Sequence, residues 1–112
     1  MSTPEGKIVA DILEYLRVSG IFAWRSNSGA FRANGRMVQY GKVGSSDIIG
    51  ILNDGRFLAI ECKTDYGKVS QAQIDFLSAI DKSGGVAFVA HGVEDVKARL
   101  LHEAEIPYSK PK

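Results

Sequence analysis

The spacing of apolar side chains divides the chain into helical and strand-like stretches. Between residues 4 and 18, Ile8, Val9, Ile12, Leu13 and Leu16 recur at the period of one helix face, preceded by the capping and first-turn residues Ser2, Thr3 and Pro4. Gly20 ends this predicted helix. Residues 21–25 and 36–40 read as short strands, separated by the glycine- and asparagine-containing stretch 26–35. Residues 47–52 and 57–63 are apolar-rich runs on either side of Asn53-Asp54-Gly55, a hairpin signal. Ile74, Phe76, Leu77 and Ile80 mark a helix over 70–81, closed by Gly84-Gly85. A short buried strand over 86–90, a last helix over 94–105 and a frayed tail from Pro107 complete the pattern. The order α-β-β-β-β-α-β-α describes an α/β fold, a small mixed sheet with helices packed on it. No internal repeat and no linker-like segment divides the sequence, so residues 1–112 read as one domain.

Composition narrows the class. With 45% hydrophobic and 24% charged residues in 112, the chain can own a core, and disorder and low complexity are excluded. No apolar run approaches the ~18 residues of a membrane span. The start, MSTPEGKIVADILEYL, lacks the pattern of a secretory signal. The single cysteine, Cys62, cannot form an internal disulfide, and both features point to the cytoplasm.

The most informative segment is the central hairpin, where Asp47, Glu61, Lys63 and Thr64 interrupt strands that otherwise favour burial. A strand's period of two puts Glu61 and Lys63 on one face and Cys62 on the other. The register depends on the turn. A two-residue loop places Asp47 opposite Cys62, whereas a three-residue loop pairs Leu52 with Arg56 and sets Asp47 opposite Glu61; Gly55 suits the three-residue form. On that register two carboxylates and an ammonium converge, as a hard divalent cation and a phosphodiester require. The alternative is an ordinary ion pair at the solvated end of an edge strand. Acid-x-Lys recurs at Glu5/Lys7 and Asp95/Lys97, but those pairs fall on predicted helices, where a two-residue spacing points side chains apart.

These residues resemble a known family. Asp47 followed, after 13 intervening residues, by Glu61-Cys62-Lys63 is similar to the catalytic signature of the PD-(D/E)XK nucleases. The run Lys68-Val69-Ser70-Gln71-Ala72-Gln73-Ile74-Asp75-Phe76-Leu77, with Gly84-Gly85 beyond it, resembles their VRR-NUC branch. The similarity extends from Glu5 to about Ala90 and includes Trp24-Arg25-Ser26-Asn27-Ser28-Gly29. Ser46 stands where the superfamily's name has proline, a position that shapes the start of the strand and holds no ligand. The resemblance implies a restriction-endonuclease-like core whose central hairpin bears the active site of a Mg²⁺- or Mn²⁺-dependent phosphodiesterase. It implies further that Asp47 and Glu61 hold metal, that the backbone carbonyl of Cys62 adds a ligand, and that Lys63 orients the attacking water or stabilises the phosphorane charge.

The family also uses a glutamate on its first helix, and Glu5 and Glu14 are the candidates; the expected metal role of Glu5 is direct or through water. At 100° per residue the apolar stripe is centred close to Glu5, while Glu14 points about 180° away. Glu5 therefore faces the sheet, and the alternative is that it serves a capping box with Ser2 or the helix dipole. Gln73 corresponds by resemblance to a helix glutamine beside the site, yet Ser70-Gln71-Ala72-Gln73 is also a capping box. Lys68 is either a phosphate contact or a solvated lysine.

Other motifs fall away. His91 and His102 lack partners at metal-ligand spacing, and residues 41–46 lack the order of a phosphate loop. Phe22, Trp24 and Phe31 read as core or interface residues, with Phe31 also able to stack on a base. The leading expectation is a DNA endonuclease acting on branched DNA such as four-way junctions. The alternatives are a DNA-binding or interaction module that keeps the nuclease fold without turnover, and a hydrolase of small phosphoesters. Chain length and the resemblance suggest a homodimer. The net charge of +1 conceals an uneven distribution. Positions 15–46 hold no acid but carry Arg17, Arg25, Arg32, Arg36 and Lys42, whereas 47–66 hold four acids against two bases. Arg25, Arg32, Arg36, Lys42 and Lys68 are thus the candidate DNA contacts, and the neutral sum reads as a basic surface offset by a metal site.

Overall fold

The computed structural model describes every residue except 1, 2, 27, 28 and 106–112. The expected cap at Ser2 and the tail from Pro107 therefore lie outside the described residues. Helix α1, Pro4–Val18, is capped by Thr3, whose Oγ1 accepts the Gly6 N–H at 2.9 Å. The strands are β1 Phe22–Arg25, β2 Gly29–Ala33, β3 Arg36–Tyr40, β4 Ile48–Ile51, β5 Phe57–Cys62 and β6 Val86–Ala90. Helices α2, Gln71–Lys82, and α3, Val93–Glu105, flank β6 in sequence.

One strand was not expected. Residues 29–33 pair antiparallel with β3 around the Asn34-Gly35 turn, so the stretch read as a connection is one leg of a hairpin. Its sequence, Gly-Ala-Phe-Arg-Ala, contains no β-branched residue, and the signal lay in the turn, a preferred two-residue hairpin dipeptide. The β2–β3 pair forms a sheet of its own, apart from the four-stranded sheet ordered β1-β4-β5-β6.

The main sheet is mixed. β1 and β5 run antiparallel to β4, and β6 runs parallel to β5 after the crossover through α2. Ile48 pairs with Ile60 and Ile51 with Phe57, which sets Asp47 opposite Glu61 one step beyond the ladder. The three-residue loop fixes this register: the Leu52 N–H donates to Arg56 O, the Gly55 N–H donates to Leu52 O, and Gly55 sits at φ 93°. A two-residue loop would have flipped every side chain of β5 to the other face.

Alternation along β5 then divides the molecule into two sides. Leu58, Ile60 and Cys62 join Val9, Ile12 and Leu16 of α1, Val96 of α3, Ile48, Val86 and Ala90 in one buried cluster. Each large aliphatic side chain buried here contributes roughly 1.5–3 kcal/mol. Glu61 points to the opposite side, where α2 packs on β5 and β6. The loop before β4 is tied to α2 by a close approach, since a Cβ on Gly44 (φ +81°) would lie 2.5 Å from Ala72 O. Arg56 links the β4–β5 turn to α3 by bonding both Asp54 and Glu103 at 2.8 Å.

Candidate active site

Asp47 occupies the lip of β4, where two backbone groups fix it. Its carbonyl accepts the Ser26 N–H at 2.8 Å, and its Oδ2 accepts the Cys62 N–H at 2.8 Å. In a strand the N–H and C=O of one residue project to the same side. The Cys62 carbonyl thus leaves β5 on the edge that Asp47 borders. The preceding residue, Ser46, is buried, and its Oγ has no partner among the described residues.

Glu61 is 1% exposed. Its Oε1 accepts from Gln73 Nε2 at 3.0 Å and lies 3.5 Å from Lys63 Nζ, while its Oε2 is buried with no hydrogen-bond partner among the described residues. Burial above all, reinforced by the neighbouring Asp47 carboxylate, pushes the Glu61 carboxyl up to about 8, and Lys63 only partly opposes this. Glu5, brought by the first turn of α1, completes the group: one carboxylate oxygen each from Glu5, Asp47 and Glu61 all lie within 4.8 Å of one another. Once Glu61 gives up its proton, three carboxylates face one ammonium, and a buried Glu61 oxygen has no hydrogen-bond partner among the described residues. Both features fit a hard divalent cation, which takes oxygen donors.

Gln73 fills both of its alternative roles at once. Its Oε1 accepts the Ser70 N–H at 2.8 Å and its N–H donates to Ser70 Oγ at 3.2 Å, forming the capping box, while Nε2 reaches Glu61. Glu5 lies outside any capping box in the described structure, because Thr3 is the N-cap and Gly6 occupies the third helical position. Glu14 is solvated and pairs with Arg17. The Cys62 thiol faces the core, where burial, followed by the charges of Asp47, Glu61 and Glu5, pushes it up to about 12. It is therefore not a nucleophile near neutral pH.

The structure thus gathers Glu5, Asp47, Glu61, Lys63 and Gln73. The basic candidates are spread over several elements. Arg25 ends β1, Arg32 and Arg36 are carried by the β2–β3 hairpin, Lys42 follows it and Lys68 precedes α2; all five are exposed. His91, set aside as a ligand in the sequence, sits where β6 ends, with its Nδ1 3.1 Å from the Lys63 carbonyl and its N–H donating to Asp95 Oδ2 at 2.8 Å. No spacing rule announces that link, because it joins residues 28 positions apart.

A mixed sheet between helices, with carboxylates at the open end of its central hairpin, is compatible with the restriction-endonuclease-like class of nucleases. Residues 6–94 match the VRR-NUC domain. The chain belongs to the VRR-NUC family, nuclease domains of the PD-(D/E)XK-like superfamily. No curated protein matches the sequence significantly. Among the described residues no helix is long and apolar enough to cross a membrane.

Proposed function

We propose that the protein is a divalent-metal-dependent DNA endonuclease that hydrolyses phosphodiester bonds in branched DNA, four-way junctions among them, inside the cell. The observation that carries this reading is the buried Glu61 Oε2, without a hydrogen-bond partner among the described residues, beside Glu5 and Asp47, with Lys63 on the same face of β5. Glu5, Asp47, Glu61 and the Cys62 carbonyl would hold Mg²⁺ or Mn²⁺, Glu5 directly or through water. When bound, the ion supplies Lewis-acid polarisation of the phosphate and of the attacking water. The Cys62 N–H orients Asp47, leaving its second oxygen for a ligand role. Gln73 orients Glu61 in the same way. Lys63 is held close to Glu61 with its side chain 12% exposed, so its ammonium meets the phosphate in a partly dehydrated setting and offsets the charge that develops there.

A second copy belongs to the same reading. Phe22, Trp24 and Ile51 are 69%, 44% and 44% exposed on the half of the sheet away from α2. Phe22 is the cross-strand partner of Ile51, and its ring lies 5.2 Å from that of Trp24. An apolar patch of this kind favours burial between protomers, and a two-fold axis would present two sites to two strands.

The test is cleavage of labelled four-way junctions and flaps in Mg²⁺ or Mn²⁺. Glu61→Ala is expected to abolish cutting, and Lys63→Ala to retain ion binding but lose turnover. Cleavage by Glu61→Ala at the wild-type rate would overturn the assignment. Light scattering of Trp24→Glu against wild type tests the dimer, which a monomeric wild type would exclude.

A further inference from the structure

We propose that the β2–β3 hairpin is an arm that enters a groove of duplex DNA flanking the cut, a binding surface distinct from the carboxylate cluster; the proposal rests on the nuclease reading above. The hairpin belongs to neither layer of the main fold. Phe31, Met37 and Val38 are 52%, 58% and 38% exposed, and Arg32 and Arg36 are exposed as well. A two-stranded hairpin is marginal by itself, so a ribbon that leaves apolar side chains in water on both faces is suited to a partner.

Charge identifies that partner as a polyanion. Positions 15–46 contain no acidic residue, and among the described residues neither Arg32 nor Arg36 has an ion pair. The register decides the shape of the polyanion. Arg32 pairs with Met37, and Arg36 with Ala33, so the two guanidinium groups leave opposite faces of the ribbon. A ribbon laid flat on one strand would use one face only. Insertion between the two phosphate walls of a groove uses both, and the major groove admits a two-stranded ribbon.

The base of the arm is fixed at the site. Before the hairpin the Ser26 N–H donates to Asp47 O, and Ser26 Oγ meets Ser45 Oγ at 3.3 Å from the returning leg. That leg is pinned to α2 at Gly44. The five residues of β2, at ~3.4 Å each, give the ribbon a length of about 17 Å, on the order of five base pairs along a duplex.

The experiment measures binding of the full chain, in EDTA, to a duplex and to a single strand of equal length across a salt series. Replacing both arginines (Arg32→Gln with Arg36→Gln) is expected to make the duplex salt slope shallower by about two, because each lost phosphate contact removes ~0.9. The single-strand slope should stay unchanged, and the paired Arg32→Lys and Arg36→Lys variant should keep the wild-type slope on both. Equal duplex slopes for wild type and the Gln pair overturn the arm, and an equal loss on both nucleic acids overturns groove insertion. Conversion of a dimer to a monomer by the Gln pair, with the duplex slope intact, makes the hairpin a subunit contact and also overturns it. Wild-type protein that neither binds nor cuts any DNA overturns the nuclease reading together with the arm.

Discussion

Gln73 Nε2 donates to Glu61 Oε1 across 3.0 Å, while the opposite end of the same amide closes the capping box of α2 with Ser70. Helix capping and orientation of Glu61 are therefore one interaction network. Gln73→Ala removes both and should lower stability by about 1–2 kcal/mol in urea. Gln73→Glu keeps the cap oxygen but sets a carboxylate against Glu61. Near pH 5, where Glu61 keeps its proton, this variant should unfold close to wild type; near pH 9 it should be clearly less stable. Equal loss for the two variants at both pH values would separate the cap from Glu61.

A second prediction concerns Glu61 alone. In the fold it keeps its proton up to about 8, whereas its ordinary value is 4.5. Proton affinity is higher in the folded state. The associated stability is therefore complete below about pH 4.5 and is lost as pH rises toward 8. Asp47, Glu5, Lys63 and Gln73 face this carboxyl. Without divalent ions, the Tm of Glu61→Gln minus that of wild type should grow from pH 5 to pH 8. Added Mg²⁺ or Mn²⁺ should stabilise wild type more at the higher pH, because ligation displaces the proton. Parallel profiles for the two proteins would contradict this.

The central hairpin was legible in the sequence because turn chemistry is local. Gly55 selected the three-residue loop, the loop set the register, and the register set Asp47 opposite Glu61. The inward face of α1 was legible for the same reason, since a period of 3.6 needs only neighbouring residues. Strand β2 was hidden because a solvated ribbon has no buried face and so no alternation to read. Arg56 bonding Glu103, and His91 meeting Lys63, join residues 47 and 28 positions apart through the crossover between β5 and β6, which no local pattern encodes. Gln73 showed its cap in the sequence, but its reach to Glu61 depends on where α2 lands on the sheet.

Asp47 allows fold and chemistry to be separated. Its Oδ2 accepts the N–H of Cys62, a residue with no exposed surface. Asp47→Ala leaves that donor unpaired and should cost about 1–3 kcal/mol. Asp47→Asn keeps an acceptor oxygen while removing the charge, so it should unfold near wild type in the absence of metal. Calorimetry should then show no Mg²⁺ or Mn²⁺ binding to Asp47→Asn, and the variant should not cut DNA. Wild-type affinity for the ion in Asp47→Asn would remove Asp47 from the ligand set.

His91 gives the last prediction, because it holds the backbone of the lysine rather than its ammonium. The Lys63 N–H donates to Ala90 O at 3.0 Å, and the Lys63 carbonyl lies 3.1 Å from His91 Nδ1. A carbonyl can only accept, so Nδ1 carries the proton. Both backbone groups of Lys63 are thus fixed from the β6 side, just where β5 ends. An asparagine amide can present an N–H near the position of Nδ1, whereas alanine presents nothing. His91→Ala should therefore lower kcat roughly tenfold, about 1.4 kcal/mol of transition-state stabilisation, with ion binding unchanged because Glu5, Asp47 and Glu61 do not bond it. His91→Asn should restore most of the rate. Equal rates for the two variants would show that the ring does not position Lys63.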